Sequence, residues 1–220
     1  MEEVSEMKAF PPLLCLTSDN PKITHDEQVR ILIDEGAKFI QIRSKQTPAY
    51  DLLEQVNIAS SYAFENEVIL IINDHLELAS SSSKVSGVHL GEEDHSVSRA
   101  RSVLGEQAII GSTVHNFDEA KTVKKLGLSN YVGLGPYSRS KTKFDLNSFL
   151  NPEEITEIVS FLYPTPVFLI GGIDLDKCGL ISEFNLAGLA VCSSLSSAEH
   201  YGIHVKKFIN KISEVTCVSV

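Results

Sequence analysis

Short apolar runs alternate with longer amphipathic stretches along the whole chain. The runs cover residues 13–17, 39–43, 68–72, 87–90, 108–112, 131–135, 167–170 and 187–192. Most are continuous rather than alternating, and rich in Val, Ile, Leu or aromatics, which is how strands buried on both faces read. The stretches between them carry helical periodicity. Residues 25–36 place Val29, Ile31, Leu32 and Ile33 before a stop at Gly36. Further helices are expected over 50–65, 95–104, 116–126, 146–162 (with a break at Pro152) and 200–215. Asn116, with Glu119 three positions on, predicts a capping box. The serine run 80–83 reads as a loop.

Eight such units in 220 residues leave about 27 residues each. A parallel strand needs a crossover of about a dozen residues to reach its neighbour, so this alternation predicts a parallel α/β fold. Eight repeats close into a (β/α)8 TIM barrel, expected here as one domain over 1–220. The competing architecture is an open doubly wound sheet. Against it, no Gly-x-Gly-x-x-Gly follows the first run, where Thr17, Ser18, Asp19, Asn20 and Pro21 stand.

Composition acts by exclusion. Hydrophobic residues are 43% and charged residues 22%, a globular mixture. The longest apolar run, 68–72, is far short of the ~20 residues that span a bilayer. The acidic first residues lack a signal-peptide layout, so a cytoplasmic protein is expected. The 19 basic and 29 acidic residues give a net charge of −10, which disfavours nucleic acid as a partner. Cys15, Cys178, Cys192 and Cys217 are widely spaced, suit neither zinc nor a disulfide framework, and read as small buried hydrophobes.

Candidate chemistry lies just past the C-terminal ends of the runs, where a barrel builds its catalytic rim. Gln41-Ile-Arg43-Ser-Lys45 alternates, so its polar residues share one face, and an Arg fork beside a Lys suits a phosphate or diphosphate. A surface strand end with ordinary ion pairs would look the same. Asn73 and Asp74 end the third run, and Asp94 follows the fourth after Glu92 and Glu93. Two carboxylates on adjacent loops can hold Mg²⁺ that arrives with substrate phosphates. Asp74 could instead cap the next helix, and Asp94 could be a solvated acid. Thr113 and His115 follow the fifth run, and His115 is a candidate acid or base or a structural histidine.

Gly133 and Gly135 alternate on the sixth run, leaving room for a flat ligand. The following segment, Ser138 to Lys143, offers the hydroxyls of Ser140 and Thr142 with Lys143 as a phosphate loop. Gly171-Gly172, and Ser193-Ser194 beside Cys192, fall where barrels build a second phosphate site. His200 and His204 lie four apart but lack the third ligand of a metal site.

These motifs, taken in order, carry a family resemblance. They are Gln41-Ile-Arg43-Ser-Lys45, Ile72-Asn-Asp74, Gly87-Val-His-Leu-Gly-Glu-Glu-Asp94, Gly111-Ser-Thr-Val-His115, Tyr131-Val-Gly-Leu-Gly-Pro136 with Ser140-Lys-Thr-Lys143, Gly171-Gly-Ile173 and Ala190-Val-Cys-Ser193. The chain resembles the thiamine phosphate synthase (thiamine phosphate pyrophosphorylase) family from Leu13 to about Ser194. The resemblance implies a transferase. Aminohydroxymethyl-methylpyrimidine diphosphate loses diphosphate with Mg²⁺ assistance, and the nitrogen of hydroxyethylthiazole phosphate captures the pyrimidine methylene cation. It implies that Asp74 and Asp94 hold Mg²⁺, and that Arg43, Lys45, Asn73 and Lys143 grip the diphosphate. Gln41 and Thr113 would contact the pyrimidine. Gly171, Gly172 and Ser193 would bind the thiazole phosphate.

Thr113, Ser140, Glu92, Ser44, Gln46 and Ser194 replace the commoner Ser, Thr, Gln, Glu, Gly and Ala, and none of these changes removes a charged ligand. A thiazole tautomerase of the same barrel type, working through His115, is the near alternative, and a silent ligand-binding barrel the distant one. A homo-oligomer fits either.

Overall fold

The computed structural model describes residues 10–20, 22–138, 149–197 and 200–217. Eight parallel strands form a closed barrel: β1 (Leu13–Leu16), β2 (Phe39–Ile42), β3 (Ile69–Asn73), β4 (Gly87–Leu90), β5 (Ile109–Val114), β6 (Tyr131–Leu134), β7 (Val167–Ile170) and β8 (Gly188–Val191). Each strand pairs with the next, and β1 closes on β8 with Leu13 opposite Leu189. The helices are α1 (His25–Asp34), α2 (Ala49–Glu65), α3 (Leu76–Ser80), α4 (Val97–Leu104), α5 (Phe117–Leu126), α6 (Pro152–Leu162), α7 (Leu180–Glu183) and α8 (Val205–Cys217). The expected (β/α)8 TIM barrel is the fold. Among the described residues, no helix is long and apolar enough to cross a membrane.

The continuous runs are explained by two cores. Outward residues such as Leu13, Ile40, Leu70, Val88 and Val132 pack under the helices. Inward residues Leu14, Leu16, Phe39, Ile71, Tyr131 and Phe168 fill the barrel. Phe10, Phe39, Tyr131 and Phe168 close its floor, with ring centroids 5.3–6.2 Å apart in stacked, tilted and edge-on pairs. Both faces of every strand are thus apolar at this level, and period 2 disappears from the sequence.

Several expected boundaries shift for local reasons. The helix expected over 146–162 begins at Pro152: proline fills the first helical position and needs no N–H partner, while Asn151 and Glu154 form a reciprocal cap at 2.9 Å each way. The last helix starts at Val205 rather than 200, because Gly202 takes a positive φ of 75° and breaks the turn. Ser96 caps α4, so that helix starts at Val97.

On α5, Asn116 does accept the Glu119 N–H at 3.0 Å, but the Glu119 carboxylate reaches past the cap to the His115 N–H at 2.8 Å. The predicted capping box is therefore displaced by one residue. Ser80 belongs to α3, and the rest of the serine run turns. α3 and α7 are too short to show periodicity. Cys15 and Cys178 are buried thiols as expected, but Cys217 is exposed at the end of α8.

Candidate active site

The inward positions of one strand change chemistry with height. On β2, Phe39 belongs to the aromatic floor, and Gln41 and, past the strand end, Arg43 line a cavity of about 170 Å³ above it. Asn73, Thr113, His115, Gly171, Gly172, Cys192 and Ser193 line the same cavity. Typical ligand pockets start near ~300 Å³, so this one takes a single ring and leaves charged ligand groups at the rim.

A hydrogen-bonded chain crosses the cavity floor. Gln41 Nε2 donates to the Tyr131 oxygen at 3.4 Å. The Tyr131 hydroxyl shares a hydrogen bond with His89 Nδ1 at 3.0 Å, and His89 Nε2 shares one with Thr113 Oγ1 at 3.0 Å. Burial pushes the His89 imidazole down to about 4 against the pull of the Asp74 charge, so it is neutral, with one donor and one acceptor. Burial likewise holds the Tyr131 phenol well above its usual range, opposed by the Gln41 hydrogen bond. The chain uses Gln41 Nε2 and leaves the Gln41 carbonyl for a ligand.

Glycine makes room for that chain. A Cβ at Gly111 would lie 2.3 Å from Tyr131 Cζ and 2.4 Å from His89 Nδ1. Gly133 and Gly135 face the cavity as expected, but the space beside them is taken. His89 lies 3.2 Å from a Cβ at Gly133, and the Ile170 carbonyl 2.3 Å from one at Gly135. Besides this packing, both glycines line the cavity itself.

Lys45, Asp74 and Asp94 meet in a second pocket on the rim beside the first. Lys45 Nζ donates to Asp74 Oδ2 at 2.5 Å. Asp74 is not the cap of α3, which is His75. It takes φ 65°, a left-handed conformation that Asp tolerates better than most residues and that marks a constrained position. Asp94 Oδ2 accepts the Gly91 N–H at 2.7 Å, so it is fixed rather than solvated.

The two carboxyls share this pocket and act on each other electrostatically. Burial raises both, and Lys45 more than offsets this at Asp74, which stays below the usual carboxylate range. At Asp94, burial and the Asp74 charge act together and raise it. The pair shares negative charge in the way that invites a cation. Among the described residues no group of three or more His, Cys, Asp or Glu converges on a metal site. Two carboxylates are a hard oxygen donor set of the kind Mg²⁺ takes when substrate phosphates complete its shell.

The opposite edge of the cavity is backbone. Gly171 and Gly172 take φ 104° and 62°, and a Cβ at Gly171 would press to 2.9 Å on Pro136. Tyr137 N–H and Ser138 N–H bond to the Ile170 and Gly171 carbonyls at 2.9 and 3.1 Å, joining the loop after β6 to this turn. Ser193 opens a one-turn 3-10 helix, Ser193–Leu195, next to it. His115 is half exposed and pairs through Nδ1 with Glu119 at 3.0 Å. The expected phosphate-loop residues Ser140, Thr142 and Lys143 lie outside the described residues.

The profile of thiamine monophosphate synthase matches residues 13–195. The chain belongs to the thiamine monophosphate synthase family. A thiamine-phosphate synthase of Bacteroides thetaiotaomicron is 32% identical over 89% of this chain and 94% of its own length. One of Methanosarcina barkeri is 30% identical over 84% of this chain and 82% of its own length. The solved thiamine phosphate pyrophosphorylase of Pyrococcus furiosus superposes with a TM-score of 0.80 at 25% identity, covering 93% of this chain and 96% of its own. This family member is a thiamine phosphate synthase, an enzyme of thiamine biosynthesis that acts on small-molecule substrates.

The sequence reading of this synthase missed two sets of residues. His89 and Tyr131 were passed over as parts of apolar strands. A histidine inside such a strand was itself the signal, because a buried polar group needs partners. Asp19 was read only as the absence of a glycine loop, yet it grips the Lys45 loop.

Proposed function

We propose that this barrel makes thiamine phosphate by Mg²⁺-assisted loss of diphosphate, with the pyrimidine ring in the central cavity and its leaving group on the Lys45–Asp74–Asp94 rim. The observation that carries this reading is the meeting of a cation and two carboxylates in one rim pocket beside a cavity sized for one ring. Gln41 Oε1 accepts from the exocyclic amine of the pyrimidine, and the Thr113 hydroxyl donates to a ring nitrogen. That pair of groups complements an aminopyrimidine edge. His89 and Tyr131 hold both in orientation.

Arg43, Lys45, Asn73 and Lys143 bind the diphosphate oxygens, and Ser140 and Thr142 add hydroxyls from the loop after β6. Asp74 and Asp94 would hold Mg²⁺, which when bound neutralises negative charge on the leaving group. Negative charge grows on the diphosphate as the C–O bond breaks, so fixed cations there lower the barrier. The pyrimidine amine delocalises the positive charge left behind. Gly171, Gly172 and Ser193, with Cys192 beside them, bind the thiazole phosphate, holding the thiazole nitrogen toward the cation. That nitrogen carries no proton, so no general base is required and His115 has no proton to move. The four thiols, none of them paired, suit a reducing cytoplasm.

The test is thiamine phosphate formation from both phosphorylated substrates. Activity is expected with Mg²⁺ and lost on chelation, with Lys143→Ala at least about 10²-fold down and His115→Ala much less affected. Full activity after chelation, or a dead His115→Ala beside a near-normal Lys143→Ala, would overturn the reading.

A further inference from the structure

Beneath the rim lies a second hydrogen-bonded system that the chemistry above does not use. Thr17, at the end of β1, bonds through Oγ1 to His25 Nδ1 at 2.7 Å. His25 Nε2 faces Asp19 Oδ1 at 3.4 Å. The trio has the order of a nucleophilic triad, but Thr17 is 0% exposed and its oxygen accepts the Arg43 N–H at 3.1 Å. No substrate can reach it. Its neighbours instead fix the direction of the chain. Thr17 accepts from Arg43, donates to His25 Nδ1, and leaves His25 Nε2–H to donate to Asp19. Burial keeps His25 neutral against the pull of Asp19.

Asp19 spends its remaining lone pairs on one target, the loop after β2. It accepts from Ser44 Oγ at 2.6 Å, the Lys45 N–H at 2.7 Å and Thr47 Oγ1 at 3.1 Å. Burial opposes its charge, but these donors outweigh burial and hold the carboxyl well below its usual range. Asp19 is itself held from behind. Gln28, fully buried on α1, bonds to both the N–H and the carbonyl of Ser18, at 3.0 and 2.8 Å. Lys45 is therefore pinned at two ends by carboxylates from two loops: its backbone by Asp19, its ammonium by Asp74. Arg43 is tied through its N–H to the same system.

We propose that Asp19 is a positioning residue for the diphosphate half of the site, setting the backbone of Arg43 to Lys45 through the Thr17–His25–Asp19 brace. The proposal rests on the assignment of Arg43 and Lys45 to the diphosphate. The brace touches neither the Gly171–Gly172 turn nor Ser193; its contact on that side is the weak bond from the Cys192 thiol to the Thr17 carbonyl at 3.9 Å, which does not involve Asp19, so loss of the Asp19 carboxylate acts on one ligand and spares the other. A generally weakened fold would affect both.

Calorimetry on the full-length protein separates these cases, with inorganic pyrophosphate plus Mg²⁺ as one ligand and hydroxyethylthiazole phosphate as the other. Asp19→Ala should weaken pyrophosphate at least about 10-fold, leaving thiazole phosphate within about threefold. Its kcat/KM for the pyrimidine diphosphate should fall about 10²-fold, the size expected when a charged group is misplaced by an ångström. Asp19→Asn keeps an acceptor oxygen and should fall between the two, and Thr47→Val should show a smaller loss of the same selectivity. If Asp19→Ala fails to fold, these two variants carry the test. Asp34→Asn, remote from the site, is the control. Equal weakening of both ligands, or pyrophosphate bound as in the wild type, would overturn the brace. Wild-type protein that makes no thiamine phosphate would overturn the functional reading instead, and the pyrophosphate comparison would still decide the brace.

Discussion

His89 makes the stability of the barrel depend on pH in a window that can be calculated. It sits at 8% exposure between Tyr131 and Thr113, and burial lowers its imidazole from 6.5 to about 4. In the unfolded chain it titrates at its ordinary value. Its contribution is thus fully present above pH 6.5. As pH falls, the unfolded chain takes up a proton that the folded barrel refuses, and stability drains away until pH 4. A tenfold change in proton affinity is worth about 1.4 kcal/mol, so the whole window carries about 3 kcal/mol.

The perturbation is His89→Gln, which keeps a donor and an acceptor but does not titrate. The assay is urea unfolding of both proteins by circular dichroism at steps from pH 7.5 to 4. Carboxylates and His25 contribute to both proteins and cancel in the difference. The wild type should lose stability more steeply than the variant between pH 6 and 4.5, and the two should run parallel above pH 7. Parallel curves through the whole range would show that His89 binds its proton as readily in the folded barrel as in the unfolded chain.

Two further outcomes follow from packing. Gly111→Ala places a methyl 2.3 Å from Tyr131 Cζ in a full core, and should cost about 2–3 kcal/mol in urea unfolding while impairing activity, because His89 must move. Arg101→Ala releases four carbonyls and the Asn130 side chain that its guanidinium gathers at 2.8–3.1 Å, and should cost about 2 kcal/mol with kcat unchanged, since that cluster lies far from the rim.

The barrel was legible because its signal is local and repeated. Each strand is a short apolar run, and each crossover has enough length for a helix. The boundaries were less legible where one residue decides them. Gly202 at φ 75° delays α8, and Asn151 with Pro152 delays α6. α3 and α7 left no trace, because five and four residues make too little of a 3.6-residue period to register.

The rim charges were legible for a geometric reason. In a closed parallel barrel every strand ends at the same face, so knowing where the runs stop was enough to put all four charges on one rim, Arg43 lining the central cavity and Lys45, Asp74 and Asp94 the pocket beside it. What joins them was not legible. Gln41 and Tyr131 are 90 residues apart, and Asp19 and Lys45 are 26 apart. Neither separation is a period of a helix or a strand. Those contacts depend on which loop folds over which, and on glycines that clear space for a ring from another strand. Gly111 shows this best. It was quoted as part of a motif, but its role is to vacate the volume that Tyr131 and His89 occupy. A sequence pattern locates residues along one element, whereas this site is built between elements. Charges could be assigned from strand ends, but their orienting partners could not.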